Sequence, residues 1–212
     1  MLALSYSLLG LASGPLVVLT ACSITRCEPV SWPWGSWPAK TTSLAASLFL
    51  GSSLTYVALV APRPAEPMAW LLIVGTVLAL VDWIRHLLPH KVVGALFFGG
   101  LVLISAEALS QRDFAPLLRA GVASVVVFMA GLALYQRFAA ELGFGDVTLT
   151  AALALYLGWC GWMCVVLGLA VGLLLVWIVM RMLLVAKRVG RHDPVALGPA
   201  LLSGAVYVML QA

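Results

Sequence analysis

Charged residues are scarce in this 212-residue chain, at 9% of the total, whereas hydrophobic residues make up 63%. A water-soluble domain of this size would need far more polar surface, so the composition excludes a soluble globular protein. No polar stretch is long enough to form a separate soluble domain. We therefore predict an all-α, polytopic membrane protein in which residues 1–212 form a single membrane domain.

The four cysteines, at positions 22, 27, 160 and 164, form no C-x-x-C pair. Cys22 and Cys27 flank the inner end of the first predicted helix, where a reducing cytosol disfavours a disulfide. Cys160 and Cys164 would lie one turn apart on a continuous helix, and small apolar packing accounts for them. We predict neither a metal site nor a cofactor. No internal repeat is present, and the net charge of +4 requires no nucleic-acid partner.

Apolar runs recur along the whole chain, each close to the ~20 residues that a membrane-spanning helix requires. We predict eight spans, at residues 2–22, 42–61, 68–84, 92–110, 116–136, 146–158, 162–180 and 199–211. A single helix of about 35 residues over 146–180, at ~1.5 Å per residue, would overshoot the hydrocarbon core. Gly158 and Gly161 are the expected break.

Basic residues are unevenly shared between the two sides of this topology. Three are predicted on one side, Arg63, Arg112 and Arg119, and nine on the other, Arg26, Lys40, Arg85, Lys91, Arg137, Arg181, Lys187, Arg188 and Arg191. The positive-inside rule places the richer side in the cytoplasm and both termini outside. No basic residue precedes the first apolar run, which predicts a retained span rather than a cleaved signal.

Two of the eight acids stand apart, Asp82 in LALVDWIRHLLPHK and Asp146 in LGFGDVTLT. The third span runs inward and carries Asp82 near its inner end, while the sixth runs outward and carries Asp146 at its start. Both carboxylates are therefore predicted at the cytoplasmic leaflet. If the third helix continues to Pro89, Asp82 lies about 10 Å back along the axis, inside the apolar layer. Ionisable groups at such depth usually face a polar cavity or a partner.

Each aspartate also has a structural interpretation, since Asp146 could cap the sixth helix and Asp82 could pair with Arg85, one turn ahead. Their matched depth favours a joint role. Two carboxylates that meet in a low-dielectric site cannot both ionise easily, so they share one proton and act as acid and base at once. This chemistry predicts aspartyl peptide hydrolysis by water. Gly143 and Gly145 would let a helix or a substrate backbone come close, at little conformational cost.

With these motifs the sequence resembles the type IV prepilin peptidases, within the wider group of GxGD membrane aspartyl proteases. Gly143-Phe144-Gly145-Asp146 matches the second aspartate motif of that family, and Asp82 stands seven residues before Pro89 of a Leu-Pro pair, as the first aspartate does. Gly198 and Pro199 correspond to the closing Gly-Pro helix. The core motifs lie within residues 68–160. The resemblance implies that Asp82 and Asp146 are catalytic, with Gly143, Gly145, Arg85, Pro89, Gly198 and Pro199 in supporting roles.

The implied activity is removal, at the cytoplasmic membrane face, of the short basic leader of prepilins and pseudopilins. These substrates present a Gly at the cut, followed by an apolar helix. Many bacterial relatives carry a cysteine-paired insert linked to N-methylation between the first two spans. Here residues 23–41 form a short loop without those pairs, so the resemblance implies a peptidase core alone.

The chain departs from the family pattern at two positions. Thr148 stands where the family often has Lys, and His90 stands where Asn or Asp commonly follows the Leu-Pro pair. Both changes bear on substrate preference, since they leave the aspartate pair intact. Together with Arg85, His86 and Lys91, His90 is interpreted as a basic rim that meets lipid headgroups.

Other functions remain open from the sequence. A presenilin or signal-peptide-peptidase-like protease shares GxGD and a Pro-Ala-Leu motif, which residues 199–201 match, but Val81 replaces the tyrosine expected before the first aspartate. An ion-coupled transporter could use both acids as an ion site, although the inverted repeats typical of transporters are absent from the sequence. A scaffold in which the acids only join helices is the third alternative. The oligomeric state does not follow from the sequence.

Overall fold

The computed structural model describes residues 2–26, 37–60, 65–85, 88–137, 143–185 and 197–212. These residues form eight α-helices and no strand: α1 Leu2–Arg26, α2 Trp37–Val60, α3 Ala65–Arg85, α4 His90–Gln111, α5 Ala115–Arg137, α6 Phe144–Cys160, α7 Trp162–Val185 and α8 Gly198–Gln211. Each predicted span coincides with one of these helices. The prediction of an all-α fold is confirmed.

Five of the described helices contain segments long and apolar enough to cross a membrane, namely Leu4–Thr25, Ala65–Trp83, His90–Gln111, Ala115–Arg137 and Trp162–Met182. Shorter apolar stretches occupy Ser43–Leu59, Phe144–Cys160 and Gly198–Gln211. A helix satisfies its own backbone hydrogen bonds, which the bilayer interior demands. The chain is a polytopic helical membrane protein.

The first two helices extend further than their apolar runs predicted. Helix α1 continues to Arg26 and α2 begins at Trp37, so both ends of the predicted loop 23–41 are helical. Ser23 and Thr25 fit within α1, where each hydroxyl donates to a backbone carbonyl three residues earlier and is thereby satisfied. The rest of that loop, residues 27–36, lies outside the described residues, as does Cys27.

The predicted break between the sixth and seventh helices is confirmed at Gly161 and wrong at Gly158. The chain leaves helical geometry at Gly161, where α7 follows directly. Gly158 is instead a buried residue of α6, and a Cβ there would lie 2.8 Å from the Ala120 Cα of α5. The absent side chain at 158 serves close helix packing rather than a turn.

Helix α6 lies at the centre of the bundle. Every residue from 151 to 158 is buried, and α4, α5, α7 and α8 all pack around the helix. Tyr156 fixes α6 to α4, since its hydroxyl donates to the Leu96 carbonyl at 2.7 Å. Helix α3 packs against α4 and α8, while the tightly paired α1 and α2 cover its other side. Large apolar side chains exposed on the outer helices suit contact with lipid.

Candidate active site

Asp82 lies in the last turn of α3 and is only 4% exposed. Its Oδ2 accepts a hydrogen bond of 2.8 Å from the backbone N–H of Gly198, the first residue of α8. The positive end of the α8 dipole therefore faces the carboxylate. A Cβ on Gly198 would come within 2.9 Å of Oδ2, so only glycine fits there without a shift.

The sequence-based expectation for the end of α3 needs a correction. The helix ends at Arg85, and Leu88 and Pro89 are not helical, so α3 does not continue to the proline. Asp82 is nevertheless buried, because α8 covers it. The alternative, that Asp82 pairs with Arg85, stays a prediction, because the Arg85 side chain lies outside the described part of the structure.

Asp146 lies in the first turn of α6, whose N-cap is Gly143. The carboxylate receives a backbone hydrogen bond from Gly143, as in a capping box. A Cβ on Gly143 would lie 2.9 Å from Asp146 Oδ2. The capping interpretation is thus right in part, although Asp146 stands three residues inside the helix rather than at its N-cap. Its side chain is half-buried.

The structure brings the two aspartates together at one end of the bundle, where α3 ends and α4, α6 and α8 begin. We call this region the aspartate end. Asp146 lies within electrostatic reach of Asp82. Like charges this close in a poorly hydrated place repel one another, so the pair is held there by its surroundings.

Leu88 fills the space between the starts of α6 and α8. A Cβ on Gly145 would lie 2.9 Å from Leu88 Cβ, and one on Gly198 would lie 3.5 Å from Leu88 Cδ2. Gly143 has ordinary extended angles, with φ −74° and ψ 135°, and Gly145 is helical. The glycines of the GxGD motif therefore act through close approach and not through unusual backbone angles.

The two motif prolines mark helix starts at the same end. Pro89 is the N-cap of α4, and its carbonyl accepts the N–H groups of Val92 and Val93 at 2.9 and 3.1 Å. Pro199 occupies the first turn of α8, where a missing N–H costs nothing. Both residues set where a helix begins beside an aspartate.

The two departures from the family pattern also lie at this end. The Thr148 hydroxyl donates to the Gly145 carbonyl at 2.8 Å, within its own helix. The His90 ring packs edge-on against Phe144 at 5.7 Å, and Phe144 packs in the same way against Tyr135 at 5.6 Å. His90 and Lys91 are exposed, whereas His86 lies outside the described residues. The basic rim therefore stays a prediction.

Arg119 is a residue whose role the sequence did not reveal. It had counted only as an outer positive charge, yet its Nε donates to the Gly158 carbonyl at 2.7 Å and its NH2 group to the Trp159 carbonyl at 2.6 Å. The guanidinium thereby caps the C-terminus of α6. A charged residue one turn inside an apolar helix was the sequence signal that could have indicated a structural role for Arg119.

The remaining candidate ligands do not gather into a metal site within the described part of the chain. No group of three or more His, Cys, Asp or Glu side chains lies there in an arrangement that could hold a metal. Cys160 and Cys164 are free thiols on either side of Gly161, packed against the core. Small apolar packing therefore describes them in the structure.

A family model described as the type IV leader peptidase family matches residues 69–185, which is more than half of the chain. The match covers both aspartates, the GxGD motif and the Leu-Pro pair, and it ends before α8. No curated protein and no solved structure matches the chain. Residues 69–185 nevertheless suffice to place it: the chain belongs to the type IV leader peptidase family.

Proposed function

We propose that this protein is an aspartic endopeptidase that removes the short basic leader from type IV prepilins or pseudopilins. The supporting observation is the meeting at the aspartate end of Asp82 and Asp146, two residues more than sixty positions apart in sequence. Membership of a leader peptidase family supplies the reaction class. The paired carboxylates supply the chemistry by which a peptide bond can be hydrolysed without a covalent intermediate.

In the proposed mechanism the two carboxyl groups share one proton. The ionised group accepts a proton from water as the water oxygen attacks the peptide carbonyl, and the protonated group donates to the developing oxyanion. Collapse of the tetrahedral intermediate then breaks the C–N bond, while a proton passes to the departing amine. The shared proton is restored at the end of the cycle, so the pair needs no other acid or base.

The two aspartates differ in how firmly they are held and in how accessible they are. Asp82 is buried and anchored by the Gly198 N–H, which fixes its orientation. Asp146 is half-buried, so water and substrate reach the pair from its side. Fixed orientation of the reacting groups is a large part of what an enzyme contributes beyond their chemical identity.

We propose further that the aspartate end faces the cytoplasm in the plasma (inner) membrane. Arg26, Lys91, Arg137 and the basic residues of 181–191 are predicted on the same side as the aspartates, and positive charge favours the cytoplasmic side. A basic leader that has not crossed the membrane would meet the site there. N-methylation forms no part of the proposal.

One observation favours a second candidate, an intramembrane protease of the presenilin or signal-peptide-peptidase kind. Residues 199–201 read Pro-Ala-Leu, and they follow directly the amide that holds Asp82. The two candidates differ in where they cut. A leader peptidase cleaves at the membrane boundary, before the apolar helix, whereas the alternative cleaves a bond within that helix.

Co-expression with a prepilin tests the proposal. We expect Asp82→Asn and Asp146→Asn each to slow leader removal by about 10²- to 10⁴-fold, which is the usual contribution of a general acid or base. Asp113→Asn is the matched control, because Asp113 is an exposed acid that bonds the Ala115 N–H at the far end of α4. A mobility shift on a gel reports the cleavage, and mass spectrometry of the product gives the cut position.

Leader removal that persists in either single variant would exclude that aspartate from catalysis. A cut inside the apolar helix would favour the second candidate. Normal processing by both variants would leave the acids a structural or ion-binding role.

A further inference from the structure

An apolar groove of about 340 Å³ lies between α4, α5 and α6. Phe97 and Phe98 of α4, Val125 and Met129 of α5, and Ala151 of α6 are among the residues that line it. Phe98, Val125 and Met129 are 65%, 58% and 53% exposed, so the groove is open towards the side of the bundle. In a membrane that side faces the lipid, and a chain could enter laterally.

The groove begins at the same end of the bundle as the aspartate pair, although neither aspartate lines it. His90 lines it and follows directly the Leu88-Pro89 pair, and Thr148 lines it two residues after Asp146. From His90 to Phe98 the groove follows α4 for about 12 Å, at ~1.5 Å per residue. It therefore leads from the level of the carboxylates into the apolar layer, parallel to the helices.

The lining calls for an apolar occupant. The Ser124 hydroxyl donates to the Ala151 carbonyl at 2.8 Å, and the Thr148 hydroxyl is bonded within α6. Among the described residues no buried side-chain nitrogen or oxygen is without a hydrogen-bond partner. No polar group in the groove therefore requires a polar ligand, and burial of apolar surface is what it can offer.

The negative charge of the aspartates distinguishes between two apolar occupants, a lipid and a polypeptide. The two carboxylates lie at the end of the bundle where the groove begins, so they repel an anionic lipid headgroup and attract a cationic segment there. Lys91 is in the same turn of α4 as His90, but it is exposed and does not line the groove. A polypeptide with a basic part followed by an apolar part is complementary to both features, with its basic part towards the acids and its apolar part in the groove.

We propose that this groove binds one face of the apolar helix of the substrate, on the carboxyl-terminal side of the scissile bond. The proposal rests on the proposed function and adds the place where the substrate is held. The helix lies along α4 and α5, and the bond before it is thereby presented to Asp82 and Asp146. Binding energy from the apolar part positions a bond that is itself chemically unremarkable.

Two glycines provide a matched test. Nothing lies within 4 Å of a Cβ at Gly94, which lines the groove, or at Gly121, which is on α5 and does not line it. A Cβ atom is therefore accommodated at both positions, but only Gly94→Leu adds a side chain at the groove lining. We expect Gly94→Leu to lower kcat/KM by roughly tenfold, equivalent to about 1.4 kcal/mol, chiefly through KM, while Gly121→Leu leaves both constants unchanged.

The assay uses a designed polypeptide, a short basic leader ending in Gly before a twenty-residue Leu/Ala helix, reconstituted with the enzyme in liposomes. A second arm places photoreactive benzoylphenylalanine at Phe98 in the Asp146→Asn variant. The expected crosslink joins residue 98 to the apolar helix of the polypeptide. This arm decides the matter even if Gly94→Leu does not fold.

The outcomes separate the two proposals. Equal cleavage by Gly94→Leu and wild type, or crosslinking of residue 98 to lipid alone, would overturn the groove proposal and leave the peptidase proposal intact. A wild-type enzyme that does not cleave the polypeptide or a prepilin would overturn both.

Discussion

The two ends of α6 both hold a charge against helix-terminal backbone groups, but they do so differently. At the end away from the aspartates, Arg119 donates to the Gly158 and Trp159 carbonyls, so one positive charge meets two acceptors. At the aspartate end, the Gly143 N–H at the start of α6 bonds Asp146, and Asp82, which accepts the Gly198 N–H of α8, adds a second acid beside it. The Arg119 charge is matched by its two carbonyl acceptors, whereas the aspartate end places two acids side by side.

This difference separates a structural charge from a functional one. A buried charge that only joins helices is expected to be matched by opposite charge or hydrogen bonds. A like-charged neighbour weakens the fold, and such arrangements persist where chemistry requires them. We therefore interpret Arg119 as a structural charge that holds α6 in place, and the aspartate pair as the proposed catalytic site. Three predictions test this reading.

The largest effect is expected on stability at the Arg119 end. Arg119→Met leaves the α6 carbonyls without their charged donor, which should lower the free energy of unfolding by about 2–3 kcal/mol. Tryptophan fluorescence during thermal unfolding in detergent measures the change. Arg137→Met, an exposed arginine at the other end of α5, is the matched control and should be nearly neutral. A loss of cleavage by Arg119→Met without loss of stability would contradict the comparison.

A smaller effect, on the rate alone, is expected at Gly198. The Cβ of Gly198→Ala would press on Asp82 Oδ2 at 2.9 Å and shift the carboxylate from its present orientation. We expect kcat to fall roughly tenfold, about 1.4 kcal/mol, with KM little changed. Gly121→Ala, with open space around its Cβ, is the control. A rise in KM with kcat preserved would show that α8 contributes to substrate binding and not to the orientation of the Asp82 carboxylate.

The smallest effect, and the one of opposite sign, is expected for the stability of Asp146→Asn. The amide keeps an acceptor for the Gly143 backbone while it removes the like charge beside Asp82. The free energy of unfolding should therefore stay the same or rise by up to about 1 kcal/mol, as when function is traded for stability. Destabilisation as large as that of Arg119→Met would show that Asp146 is structural.

Most of the fold followed from the sequence because apolar runs of membrane-spanning length are unambiguous. Eight spans were predicted and eight helices are described, with the main errors at the ends. Helix α1 passes Cys22 and continues to Arg26, and the hydroxyls of Ser23 and Thr25 are satisfied by bonds within the helix. Hydropathy alone cannot detect such continuation, since it scores these residues as polar.

The candidate site could be predicted from the sequence less completely than the fold, because its contacts join distant parts of the chain. Topology placed Asp82 and Asp146 at one depth, and the motifs named Gly198 without giving it a partner. The Gly198 N–H bond to Asp82 spans 116 residues, and the Arg119 bond to Gly158 spans 39. Neither leaves a periodic pattern in the sequence. Leu88, which the sequence offered only as half of a Leu-Pro pair, proves to separate two helix starts.

The amide that orients Asp82 belongs to a helix beyond the region of family similarity. A polypeptide that stopped after Val185 would retain both acids and the whole matched segment, yet it would lack the donor at position 198. Its buried Asp82 would lose the hydrogen bond that α8 donates to it. For protein engineers who wish to trim or fuse this protein, we therefore expect the fourteen-residue helix α8 to be needed in any shortened form that keeps Asp82 oriented.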